Sequence, residues 1–415
     1  MTQKKRIRRK PLASRISQRG KKVERLSGVR KRRKPRNLKA KVAQLREERK
    51  ARKPKRRINP QPKRKEGLDQ ETIRKIEGCQ RDYDNLQDDI MLESTYDDMA
   101  KIDRQLDQFP IRLAELRKQG FVFAKGLEDE IDVLDDKWDQ IYDDIENRAD
   151  QERPRLIQEG DRVDRLLDLA RDGNERRLAR AESAIESLER KIQATRETVR
   201  SSYRDIENDV DHIKTQIQQA ESAFELMADS KVDFLSTEYL VAACKAKMLD
   251  DANDDEGPKG ILYLTDQRLL FEQKEEITTK TFLFFFTLES KMVQEVRFAS
   301  LLGQIETLEA EDKGGFLSSQ ELLNLDLSPS ASRPQITFEL EDVENEVWDA
   351  LIKRVMTGEI EKERIAEGVE EKEELRQKVS QAPTTCPTCG ATLEATILRG
   401  QTSIRCDYCD ALIRL

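Results

Sequence analysis

Two Cys-x-x-Cys pairs lie in the thirty-residue end of the chain, CPTCGATLEATILRGQTSIRCDYCDALIRL. They comprise Cys386, Cys389, Cys406 and Cys409, and sixteen residues separate the pairs. Each pair can close a tight turn whose sulfurs converge on one metal ion, so the spacing predicts a four-thiolate zinc site. A fold of about thirty residues buries too little apolar surface to stand without such a link.

The residues around the pairs support this prediction. Gly390 and Asp410 directly follow the two pairs, where the turn needs a left-handed backbone that glycine and, less readily, aspartate adopt. The intervening ATLEATILRGQTSIR alternates apolar and polar residues around Gly400, which predicts a β-hairpin leading into the second pair.

In these features residues 384–415 resemble a zinc ribbon. Since four protein thiolates leave no open coordination position, we expect one structural, non-catalytic Zn²⁺ per chain. A redox dithiol and a disulfide framework are the alternatives. No βαβ unit of the thioredoxin type surrounds the pairs in the sequence, and zinc is the link that suits a reducing compartment.

Charge is strongly segregated along the chain. Residues 1–65 contain 30 Lys or Arg and three acids, a net charge of +27, whereas residues 66–415 carry −33. Because residues 1–66 also lack Phe, Tyr and Trp and contain five prolines, we predict a disordered basic tail. Within it, Leu38, Val42 and Leu45 form one helical stripe after Asn37, a candidate N-cap, which indicates a short basic helix that forms on a partner.

The tail predicts nucleic acid as a partner, because phosphates are a dense anionic surface and each neutralised phosphate releases counterions. Without aromatic residues for stacking and without a base-reading motif, binding should be largely insensitive to sequence. The candidate contact residues are the basic clusters of the tail: Lys4, Lys5, Arg6, Arg8, Arg9, Lys10, Lys31, Arg32, Arg33, Lys34, Arg36, Lys55, Arg56, Arg57, Lys63, Arg64 and Lys65.

Two other partners for the tail stay open. An anionic membrane surface would attract the same cations. Alternatively, the tail serves solubility or folds against the acidic helices of its own chain, especially residues 128–146, and nucleic acid would then compete with an autoinhibitory contact.

Residues 67–231 are predicted to be helical and to form a coiled coil. One stripe comprises Ile131, Leu134, Trp138, Ile141 and Ile145, and a longer one runs through Leu178, Ala181, Ile185, Leu188, Ile192, Val199, Ile206, Val210, Ile213, Ile217, Ala220, Phe224 and Met227. We expect a helix of roughly 80 Å over 174–228, with a stutter between Ile206 and Val210. Pro110, Pro154 and the glycines at 120, 126, 160 and 173 should divide the region into helices that fold back on one another, and pairing between chains stays open.

From about 232 to 358 the apolar period changes to two. We predict strands at 238–249, at 261–276 with a turn at Thr265–Asp266–Gln267, and around 281–288, 292–298, 303–310 and 335–340. The apolar FLFFF at 282–286 indicates a buried strand, since it is too short to cross a bilayer. A closing helix should place Val343, Val347, Trp348, Leu351 and Val355 on one side.

The stretch GILYLTDQRLLF resembles the G-x-L-Y-L-T-x-x-R-L-x-F run of GRAM and bacterial pleckstrin-homology-like (PH-like) domains. The matching residues are Gly260, Leu262, Tyr263, Leu264, Thr265, Arg268, Leu269 and Phe271. The resemblance covers about 234–358 and implies a bent antiparallel barrel with one C-terminal helix; another small α+β domain is the alternative. Some members bind phosphoinositides through a basic first loop, but this loop carries Asp250, Asp251, Asp254, Asp255 and Glu256, so we expect protein docking.

The sequence therefore predicts a multidomain chain: a basic tail (1–66), a coiled coil (67–231), a PH-like domain (232–358), a charged, exposed linker helix (359–382) and a zinc ribbon (383–415). We find no phosphate loop or EF-hand spacing, and the only histidine, His212, lies beside the helical seam. We expect a non-enzymatic scaffold or adaptor that binds nucleic acid and protein partners; the alternative is a peripheral membrane protein. No signal peptide or transmembrane segment is evident, so an intracellular, cytoplasmic location is expected, with association with the nucleoid or with ribosomes left open.

Overall fold

The computed structural model describes residues 38–52, 68–249, 256–280, 288–315, 318–393, 396–399 and 401–414. The chain divides into two compact units, which are Met1–Ile111 with Asp129–Lys214 (unit 1) and Arg112–Glu128 with Thr215–Leu415 (unit 2). The helices of unit 1 and of the adjoining segments are α1 (Leu38–Arg52), α2 (Gln70–Ile90), α3 (Glu93–Gln119), α4 (Leu127–Ala170), α5 (Glu175–Arg200) and α6 (Arg204–Ala228).

Unit 1 is a helical bundle that buries most of its predicted apolar stripe residues within one chain, while Ile141 is only half-buried. Trp138 is fully buried and packs edge-on against Tyr203, with 6.4 Å between the ring centroids, and its indole N–H donates to Asp103. Tyr83 of α2 donates its hydroxyl to the carbonyl of Gly160 in α4 at 2.8 Å. The helices thus fold back on one another as predicted, whereas a coiled coil between chains stays a prediction.

The helix boundaries differ from the predicted breaks. Pro110 and Pro154 lie inside α3 and α4, although proline removes one backbone hydrogen bond from a helix. Gly160 also lies inside α4, where a Cβ would come within 2.8 Å of the terminal methyl group of Ile90 in α2, so a larger residue would require that side chain to shift. The single helix predicted over 174–228 is interrupted at 201–203, between α5 and α6.

The basic tail, also called the basic segment below (residues 1–66), contains the helix α1, which packs against other helices of unit 1 in its own chain. In α1 the predicted stripe of Leu38, Val42 and Leu45 is buried. The expectation of disorder throughout 1–66 is therefore wrong for residues 38–52, because a short apolar stripe and a covering bundle supply the burial that the basic composition lacks.

Unit 2 contains a seven-stranded antiparallel sheet in the order β4-β3-β2-β1-β7-β6-β5. Its strands are β1 (Leu240–Leu249), β2 (Lys259–Thr265), β3 (Arg268–Lys280), β4 (Leu288–Leu301), β5 (Ile305–Gly315), β6 (Ser318–Leu327) and β7 (Gln335–Leu340), followed by the helix α7 (Asn345–Met356). In the described residues β4 and β5 are edges and the sheet is unclosed, so a closed barrel is not observed. The FLFFF segment lies outside the described residues.

Most predicted strands are confirmed, but one strand was missed and one residue of the closing helix was assigned to the wrong face. The strand β6, SSQELLNLDL, was not predicted because its polar residues interrupt the alternation, yet Leu322, Leu323 and Leu325 are buried. In α7 the buried face contains Trp348, Ile352 and Val355, whereas Val347 is half-exposed. The buried face of α7 therefore differs from the predicted one at Val347, which points away from the core.

The helix after the sheet is exposed over most of its length, as predicted for a charged linker, but one of its sides is buried. In α8 (Ala366–Ser380), Gly368 and Lys372 are buried. A Cβ on Gly368 would come within 2.9 Å of Val122, so glycine permits a close approach to the 121–125 segment of the same unit. The charged composition of α8 predicted solvent exposure, but on one side of this helix Lys372 forms ion pairs with buried partners.

Those partners are centred on Asp266, whose side chain is fully buried beneath the turn between β2 and β3. Its Oδ2 accepts hydrogen bonds from Arg364 and Lys372, each at 2.6 Å, and its Oδ1 accepts from the backbone N–H of Tyr239. Glu361 accepts from the same two cations. Buried charges need such pairing because desolvation is costly, so this four-residue ionic cluster determines where α8 packs.

None of the described helices is both long enough and apolar enough to cross a membrane.

We predict that Asp266→Asn lowers the free energy of unfolding of unit 2 by about 3–5 kcal/mol, because two buried cations lose one of their two counter-charges. Segment-resolved hydrogen exchange in urea would measure this. Asp233→Asn changes an exposed aspartate of the same unit and should have an effect near zero. Equal effects of the two substitutions would show that the buried pairing is not stabilising.

The cluster also predicts an acid-sensitive unit 2. Hydrogen bonds from Arg364, opposed by burial and aided by Lys372, lower the pKa of Glu361 to about 2 from 4.5. A depressed carboxyl pKa stabilises the fold above about pH 4.5, and that contribution disappears as the pH falls towards 2. The urea midpoint of unit 2 should therefore fall more steeply in this window than that of Glu361→Gln. Glu359→Gln, at an exposed position nearby, should keep the wild-type slope.

Candidate metal centre

The two Cys-x-x-Cys segments form matching turns. In the first, the N–H of Gly390 donates to the carbonyl of Cys386 at 2.8 Å, and in the second Asp410 donates to Cys406 at 2.9 Å. Gly390 has φ +77° and Asp410 has φ +58°, so both residues adopt the left-handed backbone predicted from the sequence. Because both turns close in the same way, both pairs direct their sulfurs to one point.

The four sulfurs lie within 4.8 Å of one another. The Sγ atoms of Cys386 and Cys409 are 3.6 Å apart, and those of Cys389 and Cys406 are 3.7 Å apart. Two thiolates bound tetrahedrally at about 2.3 Å from a zinc ion would be about 3.8 Å apart, whereas a disulfide needs about 2.05 Å. The spacing fits a shared metal ion such as zinc, and all four thiols are free.

The centre has one buried and one exposed side. Cys386 and Cys406 are buried together with Ile404 and Ile413, whereas Cys389 and Cys409 are exposed. The buried isoleucines come from two short strands, β8 (Ser403–Arg405) and β9 (Leu412–Arg414), which pair with each other. So small a core supports the view that a bound metal would contribute much of the stability of this segment.

The hairpin predicted around Gly400 is not what the structure shows. β8 pairs with β9 across the second cysteine turn, and Gly400 itself lies outside the described residues. Instead, residues 396–399, which precede β8, pair with the segment before the sheet. The backbone N–H of Arg399 donates to the carbonyl of Phe234 at 2.9 Å, and that of Ser236 donates to the carbonyl of Ile397 at 3.2 Å. The alternation correctly indicated extended chain, but it could not identify the pairing partner.

Through Arg399, residues 396–399 connect the four-cysteine segment to the ionic cluster of Asp266. The guanidinium of Arg399 lies 5.0 Å from the ring centroid of Tyr239, and that of Arg364 lies 4.8 Å from the same centroid. Cation–π contacts of this kind are attractive, the more so when they are buried. Sequence analysis missed Arg364, Arg399 and Tyr239, because no local pattern links residues so far apart.

Local donors favour ionisation of the first cysteine. Burial opposes ionisation of Cys386, but the backbone N–H groups of Cys389 and Thr388 and the thiols of Cys389 and Cys409 lower its pKa to about 6. The thiolate is the form that binds metal. The turn therefore prepares one ligand in its metal-binding state near neutral pH.

The structure describes only some of the other candidate residues. The candidate nucleic-acid contacts, Lys4 to Lys65, all lie outside the described residues, as do the loop acids Asp250 to Asp255. His212 lies with Asp129, Lys137 and Asp209 along a shallow groove of about 370 Å³ in unit 1. His212 is exposed there, as predicted for a surface residue.

Comparison with known proteins does not identify a family. No family model matches the chain, and no curated protein sequence matches it. Among solved structures, the N-terminal PH domain of Vps36 is 15% identical over 29% of this chain and 80% of that chain, with a TM-score of 0.20. The apo structure of the activated truncation of Vav1 is 11% identical over 84% of each chain, with a TM-score of 0.19. Both likenesses are weak.

We predict about one zinc ion per chain, and loss of that ion in Cys406→Ser, because three thiolates cannot close the tetrahedral site. Metal analysis of purified protein, with hydrogen exchange resolved by segment, would measure both the metal and the extent of unfolding. We expect faster exchange in 384–414 and an unchanged sheet. Cys79→Ser removes a thiol in unit 1 and should keep the metal. A full complement of zinc in Cys406→Ser would refute the four-thiolate assignment.

Proposed function

We propose that this chain is a non-enzymatic adaptor that binds nucleic acid through its basic segment and docks protein partners through its C-terminal modules. The observation that carries the proposal is the charge segregation, +27 in residues 1–65 against −33 in the rest. The proposal includes no catalytic step.

The binding mode follows from the chemistry of the basic segment. Its 30 lysines and arginines match the phosphate backbone, and contact with about six to ten phosphates would give strong, salt-sensitive association. Residues 1–66 contain no Phe, Tyr or Trp to stack on bases, so the affinity should depend little on base sequence. This predicts contact with the backbone of either DNA or RNA.

The C-terminal modules would dock proteins rather than lipid head groups. The first loop of the PH-like sheet, between β1 and β2, is acidic, with five Asp or Glu at 250–256, and would repel anionic lipids. In the four-cysteine segment the metal that we propose is Zn²⁺, because an all-thiolate tetrahedral donor set favours it. Zinc would stabilise that segment, whose exposed Tyr408 and Leu412 are available to a partner.

A salt titration of nucleic-acid binding tests the proposal. Full-length protein should shift a 30-base-pair duplex of arbitrary sequence, and log K should fall with log[salt] with a slope of about −5 to −9, as expected for six to ten phosphate contacts. A variant that lacks residues 1–66 should not bind, and one that lacks 1–37 should bind with a shallower slope.

Flotation with vesicles of neutral lipid containing about a third phosphatidylserine separates the alternative. Tail-dependent flotation without a duplex shift would favour the peripheral membrane reading. Duplex binding that survives deletion of 1–66 would refute the role of the basic segment.

A further inference from the structure

The helix α1 connects two basic segments. Residues 1–37 contain 17 Lys or Arg and one acid, and residues 53–67 contain seven Lys or Arg and one acid. Both segments start from the ends of α1, so the position of α1 determines where these cations begin. The surroundings of α1 therefore influence any polyanion that binds either segment.

α1 packs on an acidic surface of unit 1, formed by Glu93, Asp97, Glu146 and Asp150, which we call the acidic seat. Lys41 contacts Asp150 at 2.9 Å and Glu146 at 3.4 Å. Arg46 contacts Glu93 at 3.1 Å and, less closely, Asp97 at 3.9 Å. On the same helix Leu45 is fully buried.

Residues of the helical bundle, and not only α1, contact the carboxylate of Asp150 in the acidic seat. The hydroxyl of Tyr96 donates to Asp150 at 2.6 Å, and Arg153 pairs with the same carboxylate at 3.0 Å. Lys41 in addition lies 5.7 Å from the ring centroid of Tyr96. Because α3 and α4 supply these contacts without α1, the seat would persist if α1 left it.

We propose that nucleic acid and the acidic seat compete for α1, so that the seat weakens and thereby regulates nucleic-acid binding by the basic segment. The inference rests on the proposed function. In the seated state Lys41 and Arg46 are paired with carboxylates of unit 1, so neither is available to a phosphate backbone. A phosphate backbone approaching there meets repulsion, which α1 relieves by leaving the seat.

The contacts suit a reversible exchange. Arg46 and Asp97 remain more than half exposed, and such ion pairs are weak and screened by salt. The apolar stripe of α1 has only three residues, Leu38, Val42 and Leu45. Affinity is reduced by the fraction of molecules that are seated, and weakening the seat restores it.

Seat variants with an unaltered basic segment provide the first test. Glu146→Gln/Asp150→Asn should bind the 30-base-pair duplex about threefold to tenfold more tightly than wild type, since it raises the unseated fraction. Asp136→Asn/Asp143→Asn removes the same charge from exposed positions of α4 and serves as the control. An equal gain in both variants would indicate net charge alone and would overturn the proposal.

Zero-length carbodiimide cross-linking of the wild-type protein is the second test and needs no variant to fold. It should join Lys41 to Asp150 or Glu146, and saturating duplex should reduce that yield at least threefold. Lys191 and Glu159, 2.6 Å apart in the same unit, are the internal control, and their yield should stay constant.

The outcomes distinguish the two proposals. If the duplex binds through 1–66 but neither the Lys41 cross-link nor the affinity of the seat variant changes, the proposed function stands and the competition is refuted. If neither wild type nor the seat variant binds duplex, the proposed function fails and the inference fails with it. Duplex binding by the seat variant alone would support the competition.

Discussion

The buried carboxylate of Asp266 is the contact on which the arrangement of unit 2 depends. It accepts from Arg364 and Lys372, and through the backbone of Tyr239 it also fixes the start of the sheet. Arg364 in turn lies over the ring of Tyr239, and Arg399 of the four-cysteine segment contacts the same ring. One desolvated acid thus links the β2–β3 turn, α8 and the four-cysteine segment, because none of the charges can be left unpaired.

Charge pairing has a different character at α1. There the lysine and arginine contacts are partly exposed, so salt screens them and another anion can replace them. The same two kinds of side chain therefore give a permanent link around Asp266 and an exchangeable one at the acidic seat. Burial decides between the two roles, since it sets the cost of separating the charges.

Short-range patterns predicted much of the fold and of the metal centre. The left-handed turns after the cysteine pairs followed from Gly390 and Asp410, and the turn at 265–267 followed from local residue types. Charge misled the prediction where one side of a polar segment is buried, as in β6 and α8. A charged side chain looks solvent-exposed in sequence, and only its partner shows that it is not.

The sequence by itself determined the four-thiolate spacing, the apolar periods of helices and strands, and the division into a basic segment and an acidic remainder. These are properties of near neighbours, which a few covalent bonds hold in register. Only the tertiary structure decided that β8 pairs with β9, that Lys372 meets Asp266, and that α1 packs on its own chain. Such pairings join residues tens to a hundred or more positions apart, and their energy depends on burial, which no local pattern specifies.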